Sequence, residues 1–259
     1  MVSCEDVVEV NVPADRPRLI IDALIRVDES NPNIVPVIVK VTESSSFFGE
    51  SPVTDLKQIT FGQAILNQQQ PGTGIYEGRV NFESISQGLL ILQVEHRDQR
   101  YLAWTSYSPG SAISSLEYVA DGDKDIVKVK FQDPDTTNFY VFDMGFGEFA
   151  TVSDEFFQGE LHEFSYEYNR DLTEGESLTI SLLGADQEFY NYMNVLINQA
   201  LESTSPFDTP VSTARGNIIN VTEIDNIDFF DNVFQTDNFA LGYFAVVSSS
   251  SANILVNRP

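Results

Sequence analysis

The chain is short of thiols, of cations and of recognisable catalytic motifs. Cys4 is its only cysteine. One thiol excludes an internal disulfide and a cysteine-built zinc site, which needs several thiolates together. A lone cysteine is ordinarily a small buried hydrophobe, a poor use for position 4, because chain ends are rarely buried. Lys and Arg total 14 against 39 Asp and Glu, a net charge of −25. Such a surface repels phosphate backbones and excludes nucleic acid as an expected partner. No apolar run approaches the ~20 residues a helix needs to span a bilayer. Histidine is limited to His96 and His162, and tryptophan to Trp104. There is no nucleophile elbow, zinc-protease helix, P-loop or dinucleotide fingerprint. A thiol on an N-terminal tail is not held in register with a base. Carboxylates are abundant, but no spacing selects a glycosidase pair. These absences together predict a protein that is not an enzyme and carries no cofactor.

What is present is alternation with a period of two, the mark of half-buried strands. Val8, Val10 and Val12 share a face in "VVEVNV". Leu19, Ile21, Ala23 and Ile25 do so in "RLIIDALIR", and Val35, Val37, Val39 and Val41 in "IVPVIVKVT". "LLILQVEH" and "RYLAWTS" read as a hairpin turning at residues 97–99. Strands of this length and spacing predict an N-terminal β-sandwich, Ig-like or prealbumin-like, over residues 7–118. A second β-rich region is expected over 119–259. In its "DIVKVKF", Val127, Val129 and Phe131 alternate with Ile126, Lys128 and Lys130, and His162, Phe164, Tyr166 and Tyr168 line one face further on. "SSSS" at 248–251 reads as a turn or loop. One segment, residues 186–203, has helical spacing instead, with Phe189, Met193, Leu196, Ile197 and Ala200 on a stripe. Asp186 is its expected N-cap, and Glu188 suits the positive end of the helix dipole. The fold class is therefore mainly β, two β-rich regions with one α-helix in the second.

Few residues stand out as candidate contacts. Asp121, Asp123 and Asp125 in "DGDKD" have the alternate spacing of a calcium loop, but Ile126 and Gln132 replace its turn glycine and its bidentate glutamate. They are a weak metal candidate, and a charged turn is the favoured reading. Trp104, with Tyr101 and Tyr107 near it, has the makings of a sugar platform, although a place in the first core is favoured. The long loop "STSPFDTPVSTARGN" offers Phe207, Arg215 and Asn217, and the acidic-aromatic stretch after it offers Phe229 and Phe230. These five are the candidate partner or substrate contacts.

The N-terminus explains the cysteine. Val2 and Ser3 fit the stump of a lipobox, and Glu5 and Asp6 after Cys4 resemble the surface-export signal of lipoproteins from Bacteroidota. Each buried CH₂ of an acyl chain contributes ~0.8 kcal/mol, so two or more chains anchor stably. Cys4 is then a lipid anchor, residues 1–6 are anchor and tether, and the body sits close to the outer membrane, facing the exterior. The chain as a whole resembles the Bacteroidota lipoproteins grouped as domain of unknown function 4249. The resemblance rests on "CEDVVEVNVPADRPRLIIDALI", "TGIYEG", "LQVEHRDQRYLAWTSYSP", "SDEFFQGE", "DQEFYNYMNVLINQ", "GNIINV" and "ALGYF", in that order. It implies an accessory to nutrient uptake, docked on a TonB-dependent outer-membrane receptor, and it supplies no catalytic residues. Two further readings stand beside it. One is a free-standing glycan- or peptide-binding or adhesion module. The other is a hydrolase with carboxylates in a cleft, which requires buried acids of raised pKa facing a pocket.

Overall fold

The computed structural model describes residues 17–45, 52–201, 214–222 and 239–258. Cys4, Glu5, Asp6, Phe207, Phe229, Phe230 and the strand expected at Val8–Val12 lie outside these residues.

In chain order the elements are β1 (Leu19–Asp28), β2 (Ile34–Glu43), β3 (Gln58–Phe61), β4 (Ala64–Ile65), β5 (Asn67–Gln68), β6 (Ile75–Asn81), β7 (Leu90–His96), β8 (Gln99–Thr105), β9 (Tyr107–Ser108), β10 (Ile113–Asp121), β11 (Lys124–Gln132), β12 (Phe139–Asp143), β13 (Phe149–Ser153), β14 (Leu161–Glu167), β15 (Ser177–Ala185), α1 (Gln187–Leu201), β16 (Ile219–Asn220) and β17 (Leu241–Leu255). The molecule is mainly β, as the alternation predicts, with a single α-helix among the described residues. A nine-stranded sheet runs β13-β12-β15-β17-β1-β2-β6-β5, with β9 added on β17. A five-stranded sheet, β16-β8-β7-β3-β4, and a three-stranded sheet, β10-β11-β14, accompany it.

The first core follows from period two. Ile21, Ala23, Ile25 and Val27 of β1 and Val35, Val37, Val39 and Val41 of β2 are all buried. They pack with Ile59, Leu92, Val94 and Ala103 of the five-stranded sheet. Burying each large aliphatic side chain contributes about 1.5–3 kcal/mol. The hairpin falls where the sequence places it, with Arg97 and Asp98 between β7 and β8. Arg97 holds a left-handed φ of 53°, as a two-residue hairpin turn demands. Its guanidinium donates to Glu43 Oε1 at 2.8 Å.

The second core lies between the three-stranded sheet and the β12–β15 part of the large one. It is aromatic: Phe131, Tyr140, Phe142 and Tyr168 are buried, and Phe164 stacks on Phe142 at 4.3 Å between ring centroids. Val127, Val129 and Phe131 face inward. His162 shares the half-buried face of β14 with Phe164 and Tyr166, and its ring stacks on Phe157 at 3.7 Å.

The C-terminal strand joins the two cores. β17 pairs in parallel with β1 from Leu241 to Ser249 and antiparallel with β15 from Ser249 to Leu255. Residue 118, where the two regions were expected to meet, lies inside β10, and the large sheet takes strands from both sides of it. The same strand corrects the reading of "SSSS" as a turn or loop. Ser248–Ser251 are strand residues, flanked first by β1 and then by β15. Small side chains are required there because a loop crosses close by. A Cβ added at Gly110 would come 2.5 Å from Ser248 Oγ. The hydroxyls also find partners: Ser251 Oγ lies 2.8 Å from Ser181 Oγ, and Ser250 Oγ accepts from the Ile113 amide at 3.0 Å.

The helix starts as its sequence indicates. Asp186 Oδ1 accepts from the Phe189 amide at 2.7 Å, satisfying one of the orphan donors of the first turn. Phe189 and Met193 are buried, Leu196 and Ile197 are half-buried, and Ala200 is exposed, so the stripe fades toward the C-terminal end. The stripe lies against β12, β13 and β15.

Candidate functional site

Because α1 sits over one end of the large sheet, the same face of β1, β17 and β2 is left open beside it. There the sheet carries apolar residues at positions where a solvated face would be polar. Ile20 and Leu24 of β1 and Ile38 of β2 point away from the first core, and Ile38 is 51% exposed. The result is a groove of about 860 Å³ between the helix and the sheet.

Its floor is Ile20, Leu24, Ile38 and Ala245, and its wall is Phe149 with Phe189, Tyr192, Met193 and Leu196 of the helix. The Tyr192 and Tyr243 rings lie 4.6 Å apart, and Phe189 and Tyr243 lie 5.3 Å apart. Gly242 forms part of the floor where β17 meets β1. Its φ of 93° and a Cβ position only 2.0 Å from the Ile21 carbonyl oxygen leave room for glycine alone. Burial, with the Asp22 charge adding, pushes the Tyr192 phenol up to about 12. Burial also raises the Tyr243 phenol, helped by Asp186 and Glu188. Both phenols therefore stay protonated at neutral pH and keep a proton to donate. Three charges reach the groove. Arg26 is tied to Asp143 at 2.7 Å, while Asp22 and Lys40 sit opposite each other in the β1–β2 ladder. An apolar floor, an aromatic wall and a few charges are the usual composition of ligand pockets.

Those residues singled out from sequence that are described lie elsewhere. Asn217 clamps β17: its amide donates to the Phe244 carbonyl at 2.8 Å and accepts from the Phe244 N–H at 2.9 Å. A third bond reaches the Trp104 carbonyl at 3.3 Å. Arg215 is exposed, with its guanidinium 5.0 Å from the centroid of the Phe239 ring. Trp104 corrects the core assignment, being 37% exposed and opposite Ile91 on the outer face of β8. Its neighbours Ala103 and Thr105 take the inward positions, so strand parity turns the indole out. Tyr101 is buried on the other face, so these rings share no platform.

Asp125 has a structural use instead of a place among metal ligands. Asp121 and Asp123 are exposed at the β10–β11 turn, while Asp125 is buried. Its carboxylate accepts from the Tyr118 hydroxyl, from the Leu172 amide at 2.8 Å and from Arg258 Nη2 at 2.6 Å. Burial alone would raise its pKa, but these donors outweigh it and hold the carboxyl below its ordinary value. Among the described residues no group of three or more His, Cys, Asp and Glu side chains is placed to hold a metal ion. Every described carboxyl group with a shifted pKa, namely Asp28, Asp125 and Glu163, is held low.

The groove residues carried one sequence signal that alternation counting passed over. "LIIDALI" is apolar on both strand faces at Ile20 and Leu24, as expected of a strand covered on both sides. Tyr192 and Phe149 gave no such signal, since only packing brings them to β1.

The described residues form a mainly β protein with one helix laid over one end of its large sheet and an apolar groove open beside it. The chain belongs to the family described as Domain of unknown function (DUF4249), whose model matches residues 5–227. The match takes in β1 to β16 and ends before β17. No curated protein matches the chain.

Proposed function

We propose that the protein is a non-catalytic, lipid-anchored accessory subunit at the outer face of the outer membrane. It works with a TonB-dependent receptor and captures substrate in the groove beside α1. The groove carries this reading: it is open and largely apolar and aromatic, with Asp22, Arg26 and Lys40 among its lining residues. The Cys-Glu-Asp start supplies the anchor by its resemblance to exported lipoproteins. The low-held carboxyl groups weigh against the hydrolase reading, which needs an acid poised near the working pH. A free-standing binding module would use the same groove, and the partner separates the two.

The test is a mild-detergent pull-down of the full chain from its native membranes, with intact-mass analysis. The expected outcome is acyl mass on Cys4 and co-purification of a large barrel receptor, with Cys4→Ala folded but released from membranes. Recovery of a lipidated chain without a receptor would favour the free-standing module. A bare Cys4, or a membrane-bound Cys4→Ala protein, would sink the anchor.

A further inference from the structure

The three-stranded sheet ends at β14, whose far edge takes no strand among the described residues. Which main-chain groups face that edge follows from the ladder. The Tyr168 amide donates to the Asp125 carbonyl at 2.9 Å, and the Glu160 carbonyl accepts from the Asp133 amide at 3.0 Å. Both bonds turn even-numbered residues toward β11. Main-chain direction alternates along an antiparallel strand, so Leu161, Glu163, Ser165 and Glu167 direct N–H and C=O to the open side. There they meet no hydrogen-bond partner among the described residues. β14 has no proline, no glycine and no break in its register with β11, so the usual backbone blocks to pairing are missing.

The second core is open along the same edge. Val127, Val129 and Phe131 of β11 are fully buried, while their ladder partners Tyr166, Phe164 and His162 are only half-buried. Charge narrows what can close it. The chain carries a net −25, so copies of it repel over most of their surface. β11 is the exception, because Lys124, Lys128 and Lys130, three of the five lysines, face outward on it. Lys124 meets Glu167 at 2.8 Å and Lys130 meets Glu163 at 3.0 Å, which balances the outward carboxylates of β14.

We propose that β14 pairs antiparallel with β14 of a second copy, about a two-fold axis at Phe164, joining two three-stranded sheets into one. The symmetry fixes every pair. Phe164 faces Phe164, His162 faces Tyr166, Glu163 faces Ser165 and Leu161 faces Glu167, each across the axis, and no like charges meet. Moving the axis to Glu163 or to Ser165 sets Glu163 against Glu163 or against Glu167, which is unfavourable. The two edge glutamates thus select one register. The odd-numbered residues exchange hydrogen bonds, and the two Phe164 side chains form the closer, non-hydrogen-bonded pair, where aromatic partners contribute. Seven residues a side is small against the ~20–30 of a stable interface, so the pairing is weak and reversible. It stands independently of the receptor reading.

The test is sedimentation velocity of the Cys4→Ala full chain, which can form neither an acyl anchor nor an intermolecular disulfide. The expected outcome is a reversible monomer–dimer equilibrium between about 1 μM and 1 mM. Ser165→Glu, at an exposed position, sets a carboxylate against Glu163 of the second copy twice over and should weaken the dimer about tenfold, while Ser165→Lys should tighten it by a similar factor. Ser115→Glu and Ser115→Lys make the same changes of net charge at an exposed position on the opposite edge strand, β10, and should leave the dimer unchanged. Ser165→Pro removes an N–H that points to the open side, so it should abolish the dimer with thermal unfolding little changed. A chain still monomeric at about 1 mM would overturn the proposal. So would a dimer indifferent to Ser165→Pro, or Ser115 variants as effective as those at Ser165. A monomeric chain whose Ser165→Pro variant loses a co-purified receptor would assign the edge to another protein, and the proposal would fall.

Discussion

The two cores are built from different chemistry. The first is mostly aliphatic, with Ile21, Ile25, Val35, Val37, Val39 and Val41 in register on neighbouring strands. The second is aromatic, and its tyrosines bring hydroxyls inside. Tyr140 donates to Asp133 Oδ1 at 2.5 Å, Tyr168 donates to the Met144 carbonyl at 2.6 Å, and Tyr118 donates to Asp125. An aliphatic core asks only for shape and parity. An aromatic core with phenols asks for acceptors at fixed places, met here by Asp133 just past the end of β11 and by Asp125 near its start. Regular apolar alternation suffices for the first, whereas the second also needs polar partners, one of them Asp125 on the same inward face of β11 as Val127, Val129 and Phe131.

That contrast can be pressed hardest at Phe131, whose ring meets Tyr140 at 4.9 Å and Phe142 at 5.9 Å. Phe131→Ala should cost about 3–5 kcal/mol of unfolding free energy, read by urea denaturation. Asp125→Ala comes next, at about 3 kcal/mol, because it strands three donors in a buried place. This contribution has a pH sign. The folded pKa is depressed below the ordinary 3.8, so the stability is present above 3.8 and is lost as pH falls through the folded value. The gap between wild type and Asp125→Ala should therefore be full at pH 7 and shrink in strong acid. A gap that widened in acid would mean the carboxylate is not what the donors hold. Val39→Ala in the aliphatic core should cost about 2 kcal/mol, with no pH dependence of its own. If it proved as pH-sensitive as the Asp125 variant, the distinction between the cores would fail. The smallest effect is at the helix, where Asp186→Ala should cost about 1 kcal/mol by removing the N-cap.

His162 adds a minor acid sensitivity to the same aromatic region. Burial lowers its pKa, with the nearby Asp133 and Glu163 charges opposing. The unfolded chain then binds the proton more readily, so this contribution weakens as pH drops below the ordinary value of 6.5. Its ring is half exposed, and solvent screening keeps the effect small.

Local spacing alone determined the inward faces of β1, β2 and β11, the β7–β8 hairpin and α1 with its Asp186 cap, because each depends on neighbours within a few residues. It could not determine that Leu241–Leu255 pairs with Leu19–Asp28, nor that four serines lie inside that strand, because pairing partners about 220 residues apart leave no mark on local period (Ile20 opposite Leu241, for example). The same limit turned Trp104 outward against expectation and spent Asn217 on the backbone of Phe244. The groove exists because the helix covers one end of a sheet and leaves the rest of that face open. Such spaces are set by where elements stop relative to each other, and only the packed chain decides that.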